Sequence, residues 1–213
     1  MGLPLYLAMT GVEIRPVPHP AFLMPDHRTP PPSGFLPVVT DRHPLTQQAV
    51  EDLCRMAAGW PMALLDFERP PTRVSQQLLD RLPCPAAVPP GYPGDGPVFL
   101  PPQPLCAPLE DILAPWQGRE VWLDAALQRQ TITVTAHGVT VSPLSPNPGL
   151  TGGFYDECLR CRFLQDIRDD RVVFTLFDTP ESLQQKLDHA AALGVTRAVG
   201  LWQELGEKGL SAY

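Results

Sequence analysis

The apolar residues of this chain fall into short runs separated by helix-like or turn-rich segments, and this alternation constrains the fold more than any other feature. The runs are Leu3–Met9, Phe35–Thr40, Met62–Phe67, Ala86–Val88, Val98–Leu100, Val121–Leu127, Val172–Phe177 and Ala198–Trp202. Each has the length of a strand and not of a helix. Apolar strands alternating with helical segments argue for parallel βα units. Helical spacing is clearest in Pro44–Gly59, where Leu45, Val50, Leu53, Met56 and Ala57 recur near the helix period, and helices are also expected at Arg73–Arg81, Ala107–Trp116 and Tyr155–Ile167. Thr179 and Pro180 open a further helix that runs to Leu193, with Gly194 as its natural end.

Eight strands with intervening helices is the barrel count. The expectation is a single domain over residues 1–213, a compact (β/α)8 TIM-type barrel. Thr131–Thr135 and Val139–Val141 flank His137-Gly138 and read as a β-hairpin insertion near residues 131–141. At 213 residues the chain sits at the small end for this fold, so some helices must be short or missing. The Pro-rich stretch Pro16–Ser33 reads as a connection. An open doubly wound sheet is the alternative, but no Gly-rich nucleotide fingerprint follows any of the runs.

Composition excludes several classes. With 44% hydrophobic and 18% charged residues the chain is globular, and its 28 prolines gather in loops between the apolar runs. A net charge of −7, a pI of about 5.1 and no basic stripe argue against nucleic acid as a partner. Lys186 and Lys208 are the only lysines, a bias read as the codon usage of a GC-rich genome. No apolar run reaches 18 residues, so no membrane span is expected, and Met1–Met9 lacks a basic flank and a small-residue cleavage site. A cytoplasmic location is therefore the expectation. Five cysteines, an odd number, do not form a disulfide framework. Cys158 and Cys161 have metal-site spacing but no second pair, and on a helix both would be ordinary core. No metal or other cofactor is expected.

Barrel enzymes carry their chemistry at the C-terminal ends of the strands, and acidic residues collect at those ends. Asp41 follows the second run, Asp66 and Glu68 close the third, Asp124 lies in the sixth, Asp178 follows the seventh and Glu204 the eighth. Asp66 and Glu68, two apart on a strand, share a face. Two carboxylates so close cannot both ionise freely, and a raised carboxyl pKa is what a general acid needs near neutral pH. The plain structural alternative is a loop cap at Asp66 and a solvent ion pair between Glu68 and Arg69 or Arg73.

Met62-Ala63-Leu64-Leu65-Asp66-Phe67-Glu68 resembles the catalytic strand of glycoside hydrolase family 18, the chitinase-like barrels, whose pattern is D-x-x-D-x-D-x-E. Gly200-Leu201-Trp202-Gln203-Glu204-Leu205-Gly206 resembles the family's final strand, and Ser182–Ala198 its last helix. The resemblance implies that Glu68 protonates the leaving glycosidic oxygen, that Asp66 orients the substrate's N-acetyl group as the nucleophile, and that Trp202 stacks under the sugar. Asp41, Asp124, Asp178 and Glu204 are the further candidates for substrate contact. Pro61 and Leu64 stand at the two earlier acidic positions of the pattern. The strand is third in the count above, whereas the family places it fourth. An Asp-x-Glu strand end also occurs in the family 25 lysozymes.

Two functions follow. One is a glycosidase acting on an N-acetylated glycan, such as a cell-wall or spore-wall fragment. The other is a non-catalytic barrel that binds a glycan or a protein and keeps its acid pair as a vestige. A metal-dependent hydrolase using Asp41, Asp66, Asp124 and Asp178 ranks below both, because no histidines stand at strand ends.

Overall fold

The structure, a computed structural model, describes residues 2–11 and 14–206. Eight strands run parallel in it. In chain order they are β1 (Leu5–Met9), β2 (Pro20–Met24), β3 (Leu36–Thr40), β4 (Ala63–Asp66), β5 (Ala86–Ala87), β6 (Val98–Leu100) and β7 (Val121–Asp124), with the eighth arriving much later at Arg197–Leu201. Each pairs with its sequence neighbour, and β1 pairs with the eighth, so the order around the sheet is the order along the chain. β5 and β6 meet only through a bridge between Val88 and Val98, where Phe99 N–H donates to the Val88 carbonyl at 2.8 Å. The barrel is thus nearly closed.

Along the chain, a six-stranded antiparallel sheet is inserted between β7 and the eighth strand, which pair directly in the barrel. It comprises β8 (Gln128–Thr135), β9 (Gly138–Val141), β10 (Ser145–Pro146), β11 (Phe154–Asp156), β12 (Cys161–Arg168) and β13 (Arg171–Phe177), after which the last barrel strand is numbered β14. The expected hairpin is the β8–β9 pair within this larger insertion, Thr135 opposite Gly138.

Three expectations are corrected. Pro20–Met24, placed in a loop, is the second barrel strand: its apolar residues are flanked by prolines, and Pro20 sits at the first position of the strand, where a missing N–H is tolerated. Val172–Phe177, taken as the seventh barrel strand, belongs to the inserted sheet as part of β13. Tyr155–Ile167 is not a helix. Asp156 accepts N–H bonds from Cys158 at 2.9 Å and Leu159 at 2.8 Å, a side-chain turn that reverses the chain between β11 and β12.

The helices are α1 (Gln47–Met56), α2 (Arg73–Arg81), α3 (Leu109–Leu113), α4 (Pro180–Ala192) and α5 (Trp202–Leu205). No helix of the described residues follows β1, β2 or β5, so the full (β/α)8 repeat is not present. Each of the three longer helices starts at a threonine whose hydroxyl accepts a backbone N–H: Thr46, Thr72 and Thr179, the last two in reciprocal boxes with Ser75 and Ser182. Val50, Leu53 and Leu78 of α1 and α2 cover Phe22, Val39 and Leu65 on the outside of the barrel. Leu183, Leu187 and Ala190 of α4 cover Leu5, Leu123 and Ala198. The interior is filled by Ala8, Ala21, Leu23, Leu36, Val38, Leu64, Phe99, Trp122 and Val199. At its base the Arg197 guanidinium lies 4.6 Å from the Trp122 ring centroid and 5.7 Å from that of Tyr6. None of the described helices is long and apolar enough to cross a membrane.

Candidate active site

Strand alternation decides which side chains look into the barrel. Leu64 and Trp122 are interior, so Asp66 and Asp124, two residues on, are also interior and stand at the C-terminal ends of β4 and β7. Above them opens a cavity of about 730 Å³ lined by Asp66, Glu68, Asp124 and Glu204. Its walls are largely apolar, with Pro89 and Pro90 after β5, Pro101 and Pro102 after β6, and Gln128 and Pro146 from the inserted sheet. Arg42 is the sole basic residue among the described lining residues.

The four carboxyl groups differ in environment. Glu68 is exposed at the rim. Burial pushes the Asp66 carboxyl up to about 6, with Glu68 and Asp41 adding to the rise and Arg42 opposing it. Burial also holds the Asp124 carboxyl well above the usual range, reinforced by Asp66, Glu204 and Glu68. Asp66 and Asp124 are half-buried at the strand ends, and their partial withdrawal from water raises both carboxyls. Glu204 accepts the Leu127 N–H and so ties α5 to the loop that follows Asp124.

Asp41 is near the site but turned away from the cavity. Its two carboxylate oxygens accept the N–H groups of Glu68 at 2.9 Å and Arg69 at 3.0 Å. Tyr92 donates to the Arg69 carbonyl at 2.9 Å, so the turn carrying Glu68 is held from two sides. Asp41 therefore positions the site's backbone and does not line its surface.

Asp178 and Trp202 lie outside the lining. Asp178 closes β13 and not a barrel strand; it is buried and bonded to Lys186 at 2.7 Å, and burial raises its pKa while Lys186 opposes the rise. β14 ends at Leu201, which lines the cavity, and Trp202 opens α5, where it packs on the outer core beside Leu205. The Trp202 ring also lies over Gly206, where a Cβ would come within 2.1 Å of it. Cys158 is exposed and Cys161 is buried beside Leu105 and Leu176, so the two thiols are not side by side on one helix face.

The residues that sequence reading left out are Arg42, Gln128 and the prolines. Arg42 directly follows Asp41 at the end of β3, a position that a search for carboxylates alone passes over. Pro101 and Pro102 directly follow β6, so strand-end position was an available signal for them. Gln128 depended on knowing that the insertion folds back over the barrel.

No family model matches the chain, and no curated protein matches it in sequence. Among solved structures, the spore cortex-lytic enzyme SleL of Bacillus cereus superposes with a TM-score of 0.51 over 96% of this chain and 71% of its own, at 11% identity. SleL of Bacillus megaterium QM B1551 gives 0.48 over the same shares, at 14% identity. The chain shares the barrel fold of the Bacillus cereus enzyme.

Proposed function

We propose that this protein is a glycoside hydrolase-like barrel acting on an N-acetylated glycan, with Glu68 as general acid and Asp66 assisting through the substrate's N-acetyl group. The observation that carries the reading is the placement of Asp66 and Glu68 at the mouth of β4, in a cavity at the C-terminal end of the barrel. β4 is the fourth strand of the barrel, the position at which the chitinase-like pattern occurs, once Pro20–Met24 is counted. The fold shared with a spore cortex-lytic enzyme supports a glycan as the ligand class. In this reaction Glu68, at the rim, reaches the glycosidic oxygen from the solvent side. Asp66, deeper in the cavity, accepts the N-acetyl N–H and so orients its carbonyl oxygen, which attacks the anomeric carbon as the bond to the leaving oxygen breaks and Glu68 gives that oxygen its proton.

Leu64 favours a second reading. It is fully buried directly beneath Asp66, where the family pattern has a carboxylate. A barrel that binds a glycan or a protein without cleaving it accommodates this loss. Chromogenic N-acetylglucosamine oligomers separate the two. General acid catalysis is worth about 10²–10⁴-fold, so Glu68→Gln should cut turnover by that order while folding stays intact. A wild type that cleaves the oligomers, with Glu68→Gln equally active, removes Glu68 from the role of acid. A wild type that binds them without turnover establishes the second reading.

A further inference from the structure

The proposed reaction leaves the cation of the cavity without a task. Arg42 lines the cavity just beyond the end of β3, and it is exposed. Its guanidinium forms no ion pair and no hydrogen bond with the described residues. Its backbone, by contrast, is fixed. The preceding residue, Asp41, accepts the Glu68 N–H at 2.9 Å and the Arg69 N–H at 3.0 Å, and Arg69 Nη2 donates to the Arg42 carbonyl at 3.3 Å. β3 and β4 lie in register there, with Thr40 opposite Asp66. Arg42 thus stands at the β3–β4 corner of the mouth, beside the turn that carries Glu68, with a second guanidinium behind it.

The far wall is acidic. In the strand order β7 is four places from β3 in either direction, so Asp124 at the end of β7 faces Arg42 from across the mouth. Glu204 follows β14, the neighbour of β7, and lines the same wall. The cavity is therefore polarised, with a guanidinium at one side and carboxyl groups at the other. Two further buried carboxylates do not compete for Arg42: Asp41 is taken by backbone N–H groups, and Asp178 by Lys186 at 2.7 Å. Arg42 is close enough to Asp66 to oppose the rise of its carboxyl, yet the two form no ion pair. The donor fork of Arg42 stays open to a ligand.

We infer that Arg42 is a specificity residue that takes a carboxylate carried by the bound sugar, so that the ligand is an acidic N-acetylated glycan seated with its anion at the β3–β4 corner and its hydroxyls toward Asp124 and Glu204. A guanidinium offers two parallel N–H donors to a carboxylate, a match in geometry as well as charge. Sugar hydroxyls donate to carboxylate oxygens, so the opposite wall suits the uncharged part of the ring. A carboxylate turned toward that wall would meet like charge, and this repulsion leaves one orientation. A lactyl ether on an N-acetylated sugar and a neighbouring uronic acid both supply such a group. The inference rests on the glycan reading and adds the charge of the glycan to it.

The test is titration calorimetry on the full chain with three disaccharides: neutral N,N′-diacetylchitobiose, N-acetylglucosamine linked to N-acetylmuramic acid, and N-acetylglucosamine linked to glucuronic acid. A pH of about 8 keeps Asp66, at about 6, ionised throughout. At low salt, one or both of the acidic disaccharides should bind about fivefold or more tighter than the neutral one. The one that gains identifies the lactyl or the uronic carboxylate as the source. The gain should shrink as salt rises, because the Arg42 corner is exposed. Arg42→Gln should bring the ratio of affinities to about 1, and Arg42→Lys, which keeps the charge and loses the fork, should fall between. Arg55→Gln removes the same charge from α1, where Arg55 pairs with Asp52, and should keep the wild-type ratio. A wild type that binds the neutral and acidic disaccharides alike overturns the inference and leaves the glycan reading in place. A gain that survives Arg42→Gln overturns it as well. Binding of none of the three removes the glycan reading, and the inference with it.

Discussion

Every strand of the barrel carries at least one side chain that is almost fully withdrawn from water, from Leu7 on β1 to Ala198 on β14, whereas β9 of the inserted sheet has none. Trp122 in the barrel is 0% exposed, while Ile167 and Phe154 in the insertion are 69% and 68% exposed. The difference follows from coverage. Barrel strands have the interior on one face and helices or loops on the other. The inserted sheet buries one face only where it meets the barrel, around Leu105, Cys161 and Leu176, and its far end stands in solvent. Stability should be distributed accordingly, with the barrel near the global value and the tip of the insertion opening locally.

The largest test of this comparison is Trp122→Ala set against Phe154→Ala. The first empties the centre of the barrel and removes the ring over which Arg197 sits, and buried aromatic truncations cost about 3–5 kcal/mol. The second removes a ring that is mostly hydrated, so its cost should stay within about 0.5–1 kcal/mol. Urea midpoints measured on both variants decide the matter. Equal losses would mean that the insertion is as deeply built into the fold as the barrel, and the comparison would fail.

The second test is pH. The Asp66 carboxyl stands at about 6 in the folded chain against an ordinary 3.8, so the folded state holds this proton more tightly than the unfolded state. The stability it contributes is complete below about pH 4 and is lost as pH rises through 6, a span worth about 3 kcal/mol. Asp66→Asn should flatten that slope and raise Tm at pH 7, the usual sign of a site that sacrifices stability for chemistry. No acidic residue confined to the tip of the insertion should alter the slope when neutralised. Denaturation profiles of wild type and Asp66→Asn between pH 4 and 8 that run parallel would rule out a buried, protonated Asp66.

The same contrast in coverage explains what the sequence disclosed. Barrel strands such as Leu36–Thr40 and Ala63–Asp66 are apolar on both faces and stand out as continuous runs, so the barrel and the Asp66–Glu68 corner were legible. β2 was hidden because Pro20 and its proline neighbours mask a run of only four apolar residues, and that one miss displaced β4 from fourth to third in the count. In the insertion, Cys161, Phe163 and Ile167 recur at a period of two, but the residues between them are long and helix-compatible, and the turn at Asp156 that separates β11 from β12 was read as the start of a helix. Trp202 was misplaced because the last strand ends one residue earlier, at Leu201, and Trp202 opens the short helix α5 that turns it onto the outer core. Asp41 could not be separated from Asp66 by sequence, since only the chain path shows that its oxygens are taken by the N–H groups of Glu68 and Arg69.

The smallest expected effect is also the most sensitive to the comparison. Ile167 pairs with Val172, Val172 with Val134, and Val134 with Val139, so these four side chains form one row across the outer end of the inserted sheet. Val139 is 65% exposed and Ile167 is 69% exposed, so the water each excludes is only a fraction of its side chain. Threonine has the same branched Cβ and fits a strand about as well as valine or isoleucine. Ile167→Thr exchanges apolar surface that is already wet for a hydroxyl that is equally wet, and neither a cavity nor an unpaired buried group results. Its cost, like that of Val139→Thr, should stay within about 0.5 kcal/mol, and the double variant should show the sum of the two. Thermal unfolding of the singles and the double checks this. A loss of about 2 kcal/mol or more from either single change would show that the row is covered in solution, and the division between a buried barrel and an open insertion would have to be redrawn there.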